Sequence, residues 1–164
     1  MTPSAPAGSE GPASGINWSR VWTQAIGVGG LAAIVGAFLP WVRLQTLGVD
    51  IAHSGIAAAG DGYITLGIGA LLAALTVRTL VRRVPPSRAF GWTATIGGFF
   101  LLSIPALDFQ AFRQSLLIIA PDTAGLVRPE IGLYATMIGG ILAIVGGWLS
   151  RRRGRREARE ARGA

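Results

Sequence analysis

Few side chains in this sequence could do chemistry, and each has a simpler structural use. His53 is the only histidine, with Asp50 and Asp61 its nearest carboxylates along the chain. A tetrahedral metal site needs three or four converging ligands. This set is too small to hold an ion, and His53 is expected to be an exposed loop residue. Asp61 and Glu130 occupy matching places, each just ahead of an apolar run. Two carboxylates could bind a cation or handle a proton. An acid at a helix N-terminus, however, also accepts free backbone N–H groups and faces the positive end of the dipole. Pro129, just before Glu130, suits a helix start and favours capping. Cysteine is absent, which removes disulfides, thiol nucleophiles and thiolate metal sites. With no legible nucleophile–base pair, phosphate loop or metal spacing, the expectation is a non-enzyme with no catalytic residue, no cofactor and no metal.

The remaining ionisable groups are mainly arginines. Arg78 stands near the end of an apolar run, where its stem can lie on apolar surface while its head reaches water. Residues 151–164 (RRRGRREAREARGA) hold seven arginines against Glu157 and Glu160, and so supply +5 of the net +7. The rest of the chain is close to balanced, so no basic groove is expected and nucleic acid is not an expected partner. Arginines beside a membrane helix attract anionic lipid over roughly one Debye length, about 8–10 Å. On this reasoning Arg151, Arg152, Arg153, Arg155 and Arg156 are the candidate headgroup ligands, and Arg159 and Arg162 are dispensable.

The elements that position these residues follow from composition. Of 164 residues, 51% are hydrophobic and 14% charged, against about 25% charged in an ordinary soluble domain. Mean hydropathy is +0.50. The polar surface is too small to cover a globule of this size in water, so lipid is the expected solvent. Four apolar runs, at about 21–42, 62–82, 89–107 and 131–149, each approach the roughly 20 residues that cross a hydrocarbon core. None has an ionisable group near its middle. The first run follows Arg20 and could be read as a signal peptide, but it is longer than the roughly 7–15 residue core of one. Residues 1–20 begin MTPSAPAGSEGPASGIN, rich in Pro, Gly, Ser and Ala, and are expected to be a disordered N-terminal segment. The expected domains are that segment, a transmembrane domain over 21–150, and the arginine-rich tail.

Charge orients the runs. If the N-terminus is cytoplasmic, twelve arginines fall inside (Arg20, Arg78, Arg82, Arg83, Arg88 and the tail) and three outside (Arg43, Arg113, Arg128). The positive-inside rule then puts both termini in the cytoplasm of a multi-pass plasma-membrane protein. Trp22, Trp92 and Trp148 fall at expected inner boundaries, and Trp41, Tyr63 and Tyr134 at outer ones, as interfacial aromatics do.

The halves of the chain resemble each other. At an offset of 70, Gly62, Ile68, Gly69, Leu72 and Ala73 meet Gly132, Ile138, Gly139, Leu142 and Ala143, and Gly29-Gly30 has a counterpart in Gly97-Gly98. Chance similarity and two tandem helical hairpins are both open readings. Small residues spaced by four (Gly29, Ala33, Ala37; Gly132, Thr136, Gly140; Gly139, Ala143, Gly147) make seams where backbones can approach closely. They serve either packing within the bundle or a dimer face. In the first outer loop, Val42, Leu44, Val49 and Ile51 flank Leu47-Gly48, the pattern of a small β-hairpin. In the second, Phe109, Phe112, Leu116 and Ile119 share one helical face, as in an interfacial or partner-binding helix.

FLPWV, GDGYITL and GLYATMIGGILAIVGG resemble segments of small four-helix integral membrane proteins of bacteria and archaea, whose function is unknown. The resemblance covers about residues 21–150. It implies the same topology and brings no activity or site residue with it. The expected fold is thus an all-α four-transmembrane-helix bundle with a small hairpin and an interfacial helix outside. Its expected partners are the bilayer and another membrane protein or itself. The expected role is a non-catalytic scaffold or accessory subunit; the alternative is an oligomeric transporter or channel for a neutral or lipidic solute.

Overall fold

A computed structural model describes residues 18–46, 49–58, 61–83, 86–119 and 127–163, with side chains in the last stretch given as far as Arg152. The elements are α1 (Trp18–Phe38), β1 (Pro40–Thr46), β2 (Val49–Ser54), α2 (Gly55–Ala58), α3 (Asp61–Val81), α4 (Arg88–Ile119), β3 (Val127–Pro129) and α5 (Ile131–Gly163). The protein is mostly helical. Four helices, α1, α3, α4 and α5, are long and apolar enough to cross a membrane. They alternate in direction, so one end of the bundle carries the strands and the other gathers Arg78, Arg82, Arg83, Arg88, Arg151 and Arg152.

Four boundaries differ from the sequence reading. The first helix stops at Phe38, four residues short of Val42, because Pro40 cannot continue it and pushes Leu39 toward extended backbone. At its other end α1 takes in residues 18–20, which the composition places in a disordered segment; residues 1–17 lie outside the described residues. The third helix does not end at 107. It runs through Pro105 to Ile119 as one 32-residue helix, about 48 Å long at 1.5 Å per residue. That is well beyond a hydrocarbon core of about 30 Å. Pro105 forfeits one intrahelical bond, and it is fully buried, so its ring fills core space. Finally, α5 continues past residue 149 to Gly163, over a tail rich in the helix formers Ala, Arg and Glu.

The seams place α1 at the centre. It packs along both α3 and α5, and α5 also packs along α4. A Cβ on Gly29 would lie 2.6 Å from the Gly139 carbonyl, one on Gly30 would lie 2.8 Å from that of Gly69, and one on Gly98 would lie 2.6 Å from that of Gly140. Only glycine permits such backbone approaches. Ile26, Ala33, Leu72, Ala94, Leu101 and Ala143, all fully buried, fill the space between. The small-residue stripes therefore serve packing inside the bundle. The pair α3 and α4, although joined by the shortest connection between spanning helices, touches more thinly. There a Cβ on Gly97 would meet the Ile68 and Leu72 side chains at 3.2–3.6 Å instead of backbone.

A third strand is the addition to the expected hairpin. β1 and β2 form the expected antiparallel hairpin, with Leu44 opposite Ile51, and β3 joins the other edge of β1 to give the order β2-β1-β3. Trp41, expected at a lipid boundary, is instead 1% exposed. Its indole Nε1 donates to the Gly36 carbonyl at 2.8 Å, and its ring lies on Gly55, which has no side chain to obstruct it. With Val42 and Leu133 it forms a second core, against which Phe109 and Phe112 pack.

Candidate functional site

Polar chemistry collects at the two ends. At the sheet end, β1 and the start of α5 are joined twice. The Glu130 N–H donates to the Trp41 carbonyl at 2.9 Å, and Arg43 Nε pairs with Glu130 Oε1 at 3.0 Å. Glu130 does precede α5, and its carbonyl accepts the Leu133 N–H at 3.1 Å. Through that ion pair its carboxylate holds the sheet to the helix. Asp61 opens α3, as the sequence indicated. Its carboxyl partner is not Glu130 but Asp108, just past the apolar stretch of α4, to which it is hydrogen-bonded.

Asp108 and His53 border a cavity of about 190 Å³ whose walls include Trp41, Phe109, Phe112 and Leu133. His53 is half-buried on β2, not a loop residue, and its ring centroid is 6.3 Å from that of Phe112. Asp108 was not singled out from the sequence. The available signal was its position, at the sheet end of the helix that follows α3 and opposite the start of α3. Among the described residues no three His, Cys, Asp or Glu side chains could hold a metal ion.

At the arginine-rich end, two of the five candidate headgroup residues have described side chains. Arg151 lies across α4: its Nη2 donates to Thr95 Oγ1 at 3.2 Å, and its guanidinium stands 4.1 Å from the centre of the Trp92 ring. The absence of a side chain on Gly91 makes room, since a Cβ there would be 2.7 Å from Arg151 Cγ. Arg152 covers the Trp148 ring at 3.5 Å, four residues back on the same helix face. Both contacts are cation–π pairs and both rings are exposed, so each pair presents a cation beside an amphipathic ring. The side chains of Arg153, Arg155 and Arg156 lie outside the described residues.

Along the helices between these ends, five threonine hydroxyls donate to their own backbone, while that of buried Thr76 has no partner among the described residues. Thr23, Thr65, Thr79, Thr95 and Thr136 bond the carbonyls of Ser19, Asp61, Leu75, Gly91 and Gly132 at 2.8–3.2 Å. These bonds satisfy polar groups that lipid could not. No protein-family model matches the chain, and no curated protein matches it in sequence.

Proposed function

We propose that this chain is a non-catalytic scaffold or accessory subunit of a complex in the plasma membrane, with both termini in the cytoplasm. One observation carries the reading: backbone-close glycines lock α3 to α1, α1 to α5 and α5 to α4, while α3 keeps the least covered face. Of its most apolar window 22% is buried, against 44% for α1 and for α5. A rigid frame with one loosely covered spanning helix suits a subunit that docks another membrane protein along α3. The hydroxyls that bond their own backbone support the same reading, because ion and proton pathways are usually marked by ionisable groups within the membrane.

In this orientation Arg151, Arg152, Arg153, Arg155 and Arg156 face the headgroups of the inner leaflet. On a straight helix Arg159 and Arg162 stand about 12 and 16 Å beyond Arg151, past the roughly 8–10 Å reach of the surface field. The stretch of α4 beyond Phe112 belongs at the outer lipid interface, in keeping with exposed Leu117 and Ile118. The hairpins α1–α3 and α4–α5 are read as tandem copies, each closed by a glycine pair, Gly30 with Gly69 and Gly98 with Gly140.

Purification in mild detergent at native abundance, with mass spectrometry of what accompanies the chain, tests the role. A different membrane protein is expected in near-equimolar amount. A closed ring of this chain alone would contradict the reading and favour an oligomeric transporter or channel.

A further inference from the structure

The thin contact between α3 and α4 leaves an opening at the arginine-rich end. It is a cavity of about 390 Å³ whose lining includes Leu75, Arg78, Thr79, Arg82, Ser87 and Phe90. We propose that this cavity binds the phosphate of an anionic lipid, gripped by Arg78 and Arg82, with the acyl chains along the apolar flank of α3 and α4. The proposal does not depend on the scaffold reading, and the site is separate from Arg151 and Arg152 on α5.

Arg78 and Arg82 are one turn apart and so share a helix face. Neither has a hydrogen-bonding or ion-pairing side-chain partner among the described residues. The described carboxylate side chains, those of Asp61, Asp108 and Glu130, belong to the sheet end. Two like charges one turn apart repel each other, and an anion between them turns that repulsion into attraction. The guanidinium fork matches phosphate oxygens in pairs. The helix ends do not decide the site. The start of α4 is electropositive, but its Phe90 N–H is already taken by Ser87 Oγ at 3.2 Å, and the end of α3 has the opposite sign. The two arginines therefore carry it.

The surroundings favour a lipid over a soluble phosphate. Leu75 and Phe90 make the cavity wall apolar on its core side. Val77, Leu80 and Val81 are exposed on α3 beside it. Exposed Trp92 on α4 is a residue type that favours headgroup depth. A ligand with a charged head and a long apolar tail matches this sequence of surfaces.

The test is native mass spectrometry of the full chain released from nanodiscs of mixed phosphatidylglycerol and phosphatidylcholine. The parent should retain one phosphatidylglycerol in preference to phosphatidylcholine. Replacing both arginines (Arg78→Gln with Arg82→Gln) should cut that retention roughly tenfold or more, as expected for lost charge-assisted bonds. Arg78→Lys with Arg82→Lys, which keeps the charge but not the fork, should fall between. Replacing Arg151 and Arg152 by Gln should leave this one lipid in place. Melting temperatures measured alongside separate loss of the site from loss of the fold. Unchanged retention in the folded Arg78/Arg82 variant, or equal loss in the Arg151/Arg152 variant, would overturn the proposal. Displacement of the lipid by millimolar inorganic phosphate would reassign the cavity to a soluble anion and overturn its assignment to lipid.

Discussion

Gly139→Leu is expected to lower the melting temperature in mild detergent by on the order of 10 °C. The reason lies in what the new side chain would meet. A Cβ at Gly139 would already be 2.5 Å from the Gly29 carbonyl oxygen and 3.2 Å from the Ala33 nitrogen. These are backbone atoms of α1, which cannot rotate away as a side chain can. Accommodating leucine requires α1 and α5 to separate, and that breaks the seam that also holds Ala33 and Ala143, both fully buried. Overpacking costs typically 1–3 kcal/mol. With backbone on both sides the upper end applies, and at about 2–4 °C per kcal/mol for a chain of this length the expected shift follows. Ala143→Leu should act in the same direction. Gly67→Leu is the control: a Cβ there meets nothing within 4 Å, so this variant should melt at or above the parent temperature, helped by the better helix propensity of leucine. If Gly139→Leu and Ala143→Leu both melt like the parent, the close α1–α5 seam is wrong.

The second large effect is expected at the opposite end of the molecule. Trp41→Ala should cost about 3–5 kcal/mol, the range for removing a buried aromatic side chain. Trp41 links three elements: it belongs to β1, its Nε1 bonds the Gly36 carbonyl in α1, and its ring rests on Gly55 of α2. Gly62, at the start of α3, lies in turn against the Gly55 backbone. Removing the indole therefore empties the centre of the second core and leaves a helix-end carbonyl without its partner. The expected readout is a lower melting temperature together with early proteolysis at the sheet end. Trp148→Ala, which removes a half-exposed indole, should cost much less. Equal melting of the two variants would mean that Trp41 is not the centre of the sheet-end core.

The parts of this structure legible in the sequence are those in which one physical effect dominates. Four apolar runs too long for a soluble core announced the four helices. Alternation of Val42 and Leu44 with Val49 and Ile51 about Leu47-Gly48 announced the hairpin. The misses lie where two effects compete. The third apolar run ends at Leu107, where polar residues begin, but one helical face stays apolar beyond it, so α4 continues through the buried Pro105 to Ile119 and the face formed by Phe109 and Phe112 docks on the Trp41 core. β3 is three residues long, too short for any periodicity to show. Its pairing depends on Trp41 and Glu130 being brought together by α1 and α5.

The candidate sites follow the same division. The arginine cluster after residue 150 was plain from composition, and the structure adds the Trp92 and Trp148 rings under Arg151 and Arg152. Asp61 and Glu130 were visible as acids at helix starts, but their partners were not. Asp108 is 47 positions from Asp61 and Arg43 is 87 from Glu130, and only the antiparallel return of the chain puts each pair side by side. The cavity between α3 and α4 had half a signal, the four-residue spacing of Arg78 and Arg82. The other half is looseness of packing, a property of two helices together.

The central claim is that four helices cross the membrane, with the arginine-rich end in the cytoplasm. Single cysteines placed in this cysteine-free chain test it in intact cells with a membrane-impermeant thiol reagent. Ser115 is exposed on α4 at the sheet end, and Ser87 is exposed at the start of α4 at the arginine-rich end. The account predicts that Ser115→Cys is labelled in intact cells, whereas Ser87→Cys is labelled only after the membrane is opened. Labelling of Ser87→Cys but not of Ser115→Cys in intact cells would invert the orientation, and equal labelling of both would contradict a spanning α4.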